Sequence, residues 1–156
     1  MVKNLAFWVM ALFFLIIDQI TKYTISHSMT IAESIPLWQS VFHLTYITNK
    51  GAAFSFFSHS GDWLRWVSLS VSLGLICLGW FSSKLDRWEQ FGYGCILGGA
   101  MGNGIDRFVY GYVVDFLDFQ LIRFPVFNFA DVGINIGLAC LLISWFRSSK
   151  PKSSGN

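Results

Sequence analysis

The sequence predicts an all-α membrane protein, with four transmembrane helices carrying a small extracytoplasmic β-sheet. Three observations lead there. The 156 residues are 54% hydrophobic and only 13% charged, where a soluble domain carries about 25% charge, and the mean hydropathy is +0.52. Four stretches have the ~20 mostly apolar residues that a membrane crossing needs. The long segments between them are rich in β-branched and aromatic residues, the composition of strands.

The first span is expected from Leu5 to Ser26. Lys3 followed by apolar Leu5–Ile17 has the look of a cleavable signal peptide. The helical pattern continues through Asp18-Gln19-Ile20-Thr21-Lys22 to Ile25, however, and no A-x-A site follows, so a retained anchor is expected. No lipid-acceptor cysteine lies near the start. The second span is expected from Trp63 to Phe81, the third from Phe91 to Val109 and the fourth from Phe129 to Phe146. Between them, Ile35–Phe57 and Val113–Phe127 are expected to form short strands. Backbone at a membrane surface must satisfy its hydrogen bonds internally, so the two segments should pair into one sheet. Residues 1–146 are expected to form a single domain, followed by a short basic, Ser-rich and disordered tail over 147–156.

Four crossings put both termini on one side. Lys3, the Lys84–Arg87 loop and the Arg147/Lys150/Lys152 tail share it, which the positive-inside rule makes cytoplasmic. Lys50, Arg107 and Arg123 lie opposite. In this topology both long loops face outward. Asp18 and Lys22, then Asn103, Asp106 and Arg107, then Asn128 and Asp131, all fall at the outer ends of their helices. The polar residues at membrane level therefore converge on one outer layer.

Charge at membrane depth costs about 2.5–3.5 kcal/mol per group on insertion scales and is functional by default. Asp18 and Lys22 have the four-residue spacing of a helix ion pair and are expected to support the polar layer. Asn103 and Arg107 share a helix face, with Asp106 beside them. An interfacial Asp106–Arg107 pair is the simpler expectation. The alternative is that Arg107 and Asn103 hold a polar part of a substrate or a loop. Gly94, Gly98 and Gly102 make a small-residue stripe for close helix packing. Asn49-Lys50-Gly51 is a polar turn ahead of small residues. It is either a hairpin turn or a place where Asn49 donates hydrogen bonds to a bound peptide. Asn128 and Asp131 read as the N-cap and N3 of the fourth helix, with Asn135 one turn further on the same face. Capping explains Asp131 without further purpose. It does not explain Asp115, which interrupts an apolar run away from any helix start. Asp118 is expected as an exposed loop carboxylate.

Two carboxylates brought together at a membrane edge suggest acid–base hydrolysis of a peptide, one acid activating water while the other polarises the carbonyl. Like charges this close share one proton, and the dipole of the fourth helix should leave that proton on Asp115. Other chemistry has little support. The net charge of +2 does not argue for nucleic acid. Cys77, Cys95 and Cys140 lie in apolar stretches as small core residues. His27, His43 and His59 have no zinc-ligand spacing, and no G-x-S-x-G elbow is present. No metal, nucleotide or other cofactor is expected.

Five segments, in order, carry a family resemblance: Asp18-Gln19-Ile20-Thr21-Lys22, Asn49-Lys50-Gly51-Ala52-Ala53-Phe54-Ser55, Gly98 to Arg107, Val113-Val114-Asp115-Phe116 and Phe127-Asn128-Phe129-Ala130-Asp131. Together they resemble the lipoprotein signal peptidases (signal peptidase II), bacterial intramembrane aspartic proteases, across the whole chain except its tail. One departure is Gly104, where the family usually carries a larger apolar residue. The resemblance implies removal of the signal peptide from diacylglyceryl-modified prolipoproteins, just before the lipidated lipobox cysteine. It implies Asp115 and Asp131 as the catalytic pair, supporting roles for Asp18, Asn49, Asn103, Arg107, Asn128 and Asn135, and inhibition by globomycin. Lys22, Gly51 and Asp106 join the expected site through their place in the same layer. The expected partners are the prolipoprotein substrate and membrane lipid, with the protein acting as a monomer in the bacterial cytoplasmic membrane. Two rivals compete. A small transporter would need a polar path across the bilayer, which the apolar inner halves of the helices do not offer. An assembly subunit using the glycine stripe leaves Asp115 and Asp131 without purpose.

Overall fold

The computed structural model describes residues 3–51, 62–83, 85–122 and 124–149. Ala52 to Ser55, His59, Lys84, Arg123, Lys150 and Lys152 lie outside the described residues, as do the parts of the expected strand beyond Gly51 and of the expected tail beyond Ser149; Arg147 and Ser148, expected in the tail, belong to the last helix. The elements are α1 (Leu5–Ser28), β1 (Ser34–Trp38), β2 (Phe42–Asn49), α2 (Asp62–Phe81), α3 (Arg87–Val109), β3 (Val113–Phe119), a 3-10 turn (Gln120–Ile122) and α4 (Phe129–Ser148).

Among the described residues, three helices are long and apolar enough to cross a membrane: α1, α2 from Trp63, and α4. The third expected span, α3, is not. It carries Glu89, Gln90, Asn103, Asp106 and Arg107 and many glycines, and it packs against α1, α2 and α4. A helix enclosed by its neighbours needs little apolar surface of its own. It also starts four residues earlier than expected, at Arg87. Asp86 and Glu89 form a capping box in which each side chain accepts from the other's backbone N–H, both at 2.9 Å. Ser144 of α4 donates to the same Asp86 carboxylate at 2.6 Å, tying that end of the bundle together.

The glycine stripe packs against α1. A Cβ at Gly94 would collide with the Phe7 carbonyl, and one at Gly98 would lie 2.8 Å from Phe14 Cβ and 3.2 Å from Leu15 N. The surface that an assembly subunit would offer to a partner helix is thus already occupied. The other side of α3 meets α4 just as closely, through Gly99 against Ala130 and through Gly92 against Gly137. Gly104, the departure from the family pattern, sits against Ser68 of α2 and is buried there. Gly98→Val should therefore lower the unfolding midpoint in detergent, by about 1–3 kcal/mol of overpacking. Gly74→Ala, whose new Cβ meets nothing within 4 Å, should leave the midpoint unchanged or raised. Equal midpoints for both variants would contradict this packing.

β1, β2 and β3 form one antiparallel sheet in that order, built from the two segments where strands were expected. The register places Ile47 opposite Asp115 and Asn49 opposite Val113. Strand alternation sends Val114 and Phe116 into a buried cluster with Tyr46 and with Ile25 and Met29 at the end of α1. Asp115 consequently faces the other way. Gly111, at φ +77, turns the chain from α3 into β3. After β3, Leu117 and Phe127 exchange backbone hydrogen bonds at 2.8 and 3.0 Å, which returns the chain past β3 and starts α4 beside Asp115.

Asp118 departs from expectation. It is buried on the sheet, on the face away from Asp115, and accepts a 2.7 Å hydrogen bond from Thr45. Gln120 donates to the same oxygen. It is sheltered because β2 and β3 pair as far as Phe119, a non-local contact with no local sequence signal.

Candidate active site

The outer-layer residues meet where α1, α3, the start of α4 and one face of the sheet come together. Asn128 organises the site. It is the N-cap of α4: its Oδ1 accepts from Asp131 N at 3.0 Å, and Asp131 Oδ2 accepts from Asn128 N at 3.3 Å. Its side-chain amide points to the sheet, donating to Asp115 Oδ1 at 2.7 Å, to Asn103 Oδ1 at 3.0 Å and to the Val114 carbonyl at 3.3 Å. Asn103, in turn, donates to Asp131 Oδ1 at 2.9 Å. The two asparagines thus connect Asp115 to Asp131, and both acids line one cavity of about 1200 Å³.

Asp115 is 2% exposed. Burial, and after it the neighbouring charge of Asp131, push its pKa up to about 7, against the opposing hydrogen bonds from Asn49 and Asn128. Asp131 is half-buried in the first turn of α4, where it accepts from the Asn103 amide and from Asn128 N–H.

Asn49 closes the far side. Its amide donates to Asp115 Oδ2 at 3.0 Å, while its Oδ1 accepts from Gly51 N at 2.9 Å. The expected turn and a polar role coexist, although the contact is with Asp115. Arg107 corrects the expected Asp106–Arg107 pair. Its guanidinium donates to the Asn103 carbonyl at 3.2 Å and to the Gly51 carbonyl at 3.5 Å, so it reaches the backbone at Gly51, two residues past β2. Asp106 turns instead to Lys22, at 3.1 Å, and Lys22 also reaches Asp18 at 2.8 Å and Asn103 Oδ1 at 2.9 Å. Asn135 is exposed, donates to the Asp131 carbonyl at 2.9 Å and lines the cavity. Sequence reading missed Gln19, whose Nε2 lies 3.2 Å from both Asp18 Oδ2 and Asp106 Oδ1 and 3.3 Å from the Gly102 carbonyl. Its one available signal was a polar side chain beside Asp18 in an apolar helix.

Beside these groups and Thr48 and Lys50, the cavity has an apolar lining from Ile122, Phe124, Pro125 and Phe127 and from Val132 and Ile136 of α4. A pair of carboxylates and amide donors in one cavity suits acid–base chemistry, and the apolar lining suits an apolar ligand.

A family model described as signal peptidase (SPase) II matches residues 10–147. The lipoprotein signal peptidase of Gloeothece citriformis is 59% identical over 155 residues, covering 99% of this chain and 95% of that protein. That of Microcystis aeruginosa is 59% identical over 145 residues, covering 92% and 94%. A bacterial membrane enzyme solved by the in meso method at 2.3 Å resolution superposes with a TM-score of 0.86 at 29% identity, covering 95% of this chain and 92% of that one.

Proposed function

The chain belongs to the signal peptidase II family of membrane proteases, and from that premise we propose that it is an aspartic endopeptidase acting within the membrane on lipoprotein precursors. It removes the signal peptide from diacylglyceryl-modified prolipoproteins by cleaving just before the lipidated lipobox cysteine. Asp115 and Asp131 are the catalytic pair. The observation that carries this reading is the amide bridge, in which Asn128 binds Asp115 and Asn103 binds Asp131 while the two asparagines bind each other.

In the resting site one proton is shared, held on Asp115 while Asp131 carries the charge. Asp131 takes a proton from water as the oxygen attacks the scissile carbonyl, and Asp115 donates its proton toward the carbonyl oxygen. The roles exchange as the tetrahedral species collapses and the leaving amine is protonated. Arg107 and Asn49 hold the backbone at Gly51 beside the pair. The diacyl chains lie along the apolar wall. At about 0.8 kcal/mol per buried CH₂, they supply much of the binding and select lipidated chains. The protein acts as a monomer in the cytoplasmic membrane, α3 completing four crossings, with both termini cytoplasmic and the site near the outer leaflet. Incubating the detergent-purified protein with a lipidated prolipoprotein should give a globomycin-sensitive mobility shift. A lack of cleavage would refute the reading.

The pH dependence follows from the raised pKa of Asp115. Its proton is lost as pH rises through about 7, so kcat/KM should fall on the alkaline side with an apparent midpoint there, a value that belongs to the pair. Stability should move in the same direction. The folded chain holds a proton that the unfolded chain releases near 3.8, so the contribution is fully present below that value and is lost as pH rises toward 7. A rate that climbs through pH 7–9 would contradict this assignment.

A further inference from the structure

Two backbone amides stand out because each belongs to the residue immediately before one of the two acids, and each is held by a buried carboxylate from another element. Ala130 N–H, before Asp131, donates to Asp18 Oδ1 of α1 at 2.9 Å. Val114 N–H, before Asp115, donates to Asp106 Oδ2 of α3 at 3.1 Å. Asp18 and Asp106 are 0% and 1% exposed. Lys22, itself 3% exposed, bonds both carboxylates and also Asn103, the donor to Asp131. Gln19 ties the same two carboxylates together.

We propose that Lys22, Asp18 and Asp106 form a strut that sets the separation of Asp115 and Asp131 by gripping the peptide units on which the two acids are mounted. These are positioning residues, and the proposal rests on the reading of Asp115 and Asp131 as the catalytic pair. Three buried charges inside a bundle are poor evidence of stabilisation. Here they fix one strand and one helix start relative to each other, at the two places where the chemistry needs precision.

The hydrogen-bond pattern makes the strut asymmetric. Asp106 uses one oxygen, Oδ2, for both Lys22 and Val114 N–H, while Oδ1, among the described residues, accepts from Gln19 alone. An asparagine at this position can present its single carbonyl to both partners and gives up only the Gln19 contact, while Gln19 Nε2 keeps Asp18 Oδ2 and the Gly102 carbonyl. Asp18 divides its oxygens, Oδ1 to Ala130 N–H and Oδ2 to Lys22 and Gln19. An asparagine there must present NH₂ to one of them. The two substitutions remove the same charge from the same cluster yet should have unequal effects.

The test is steady-state cleavage of a lipidated prolipoprotein by purified Asp18→Asn, Asp106→Asn and Asp106→Ala, with unfolding midpoints measured alongside. Asp106→Asn should keep at least about a tenth of kcat. Asp18→Asn and Asp106→Ala should lose about 10²-fold or more in kcat, the scale of an ångström-level misplacement, with KM within about threefold. Equal losses from Asp18→Asn and Asp106→Asn, as simple charge balance requires, would overturn the strut. So would a folded Asp106→Asn protein that loses 10²-fold, and this arm decides the matter even if Asp18→Asn does not fold. Asp131→Asn, assayed in parallel, separates the two levels. Cleavage by that variant defeats the catalytic pair itself, whereas its inactivity beside equal Asp18 and Asp106 effects defeats only the strut.

Discussion

Asp131→Asn and Asp115→Asn should each reduce cleavage of a lipidated prolipoprotein by about 10⁴-fold, the upper end of what a positioned acid or base contributes, while the protein still folds. Asparagine at 131 keeps an acceptor for Asn103 Nδ2, now 2.9 Å from the carboxylate, gives up the 3.3 Å hydrogen bond that the second oxygen accepts from Asn128 N–H, and can no longer take a proton from water. Asparagine at 115 removes the proton that the buried carboxyl holds up to about pH 7. Because the pair works as a unit, the double variant should be no worse than either single one. Additive losses, or near-normal cleavage by either folded variant, would show that the acids do not act together. The assay is single-turnover cleavage with the unfolding midpoint measured on the same preparations.

Asn128→Ala should have the second-largest effect, and on two quantities at once. Asn128 is fully buried. It caps α4 through its oxygen and bridges Asp115 and Asn103 through its amide. Removing a cap costs about 0.5–2 kcal/mol. Leaving buried acceptors unpaired costs about 1–3 kcal/mol more. Activity should fall by about 10²-fold as the link between the acids is lost. Asn128→Ser separates the two roles, because a serine hydroxyl can still cap Asp131 N–H but cannot span to both Asp115 and Asn103. It should recover part of the unfolding midpoint and little of the rate. Recovery of both together would reduce Asn128 to a cap.

Features fixed by local composition or spacing were legible in the sequence. The apolar runs located α1, α2 and α4. The four-residue repeat of Gly94, Gly98 and Gly102 anticipated the close approach of α1. The spacing of Asn128 and Asp131 anticipated the α4 cap, and that of Asp18 and Lys22 their ion pair. Asp115 stood out because a carboxylate in an apolar run needs a reason. What escaped depends on contacts between distant segments. The Asp106 carboxylate chooses Lys22 over its chain neighbour Arg107 because the glycine stripe brings α1 against α3. Asp118 is buried because β2, some 70 residues earlier in the chain, covers it. Gln19 shows its role only once α3 lies beside it. The low apolarity of α3, read alone, gives no hint that three helices enclose it.

Infrared difference titration tests the central claim most directly. A protonated carboxyl band should be present at pH 5, disappear with a midpoint near 7, the value to which burial and Asp131 raise Asp115, and be missing from Asp115→Asn. A band that persists in Asp115→Asn and vanishes in Asp131→Asn would place the proton on the wrong acid. The absence of any carboxyl titrating in this range would mean that the two acids do not share one.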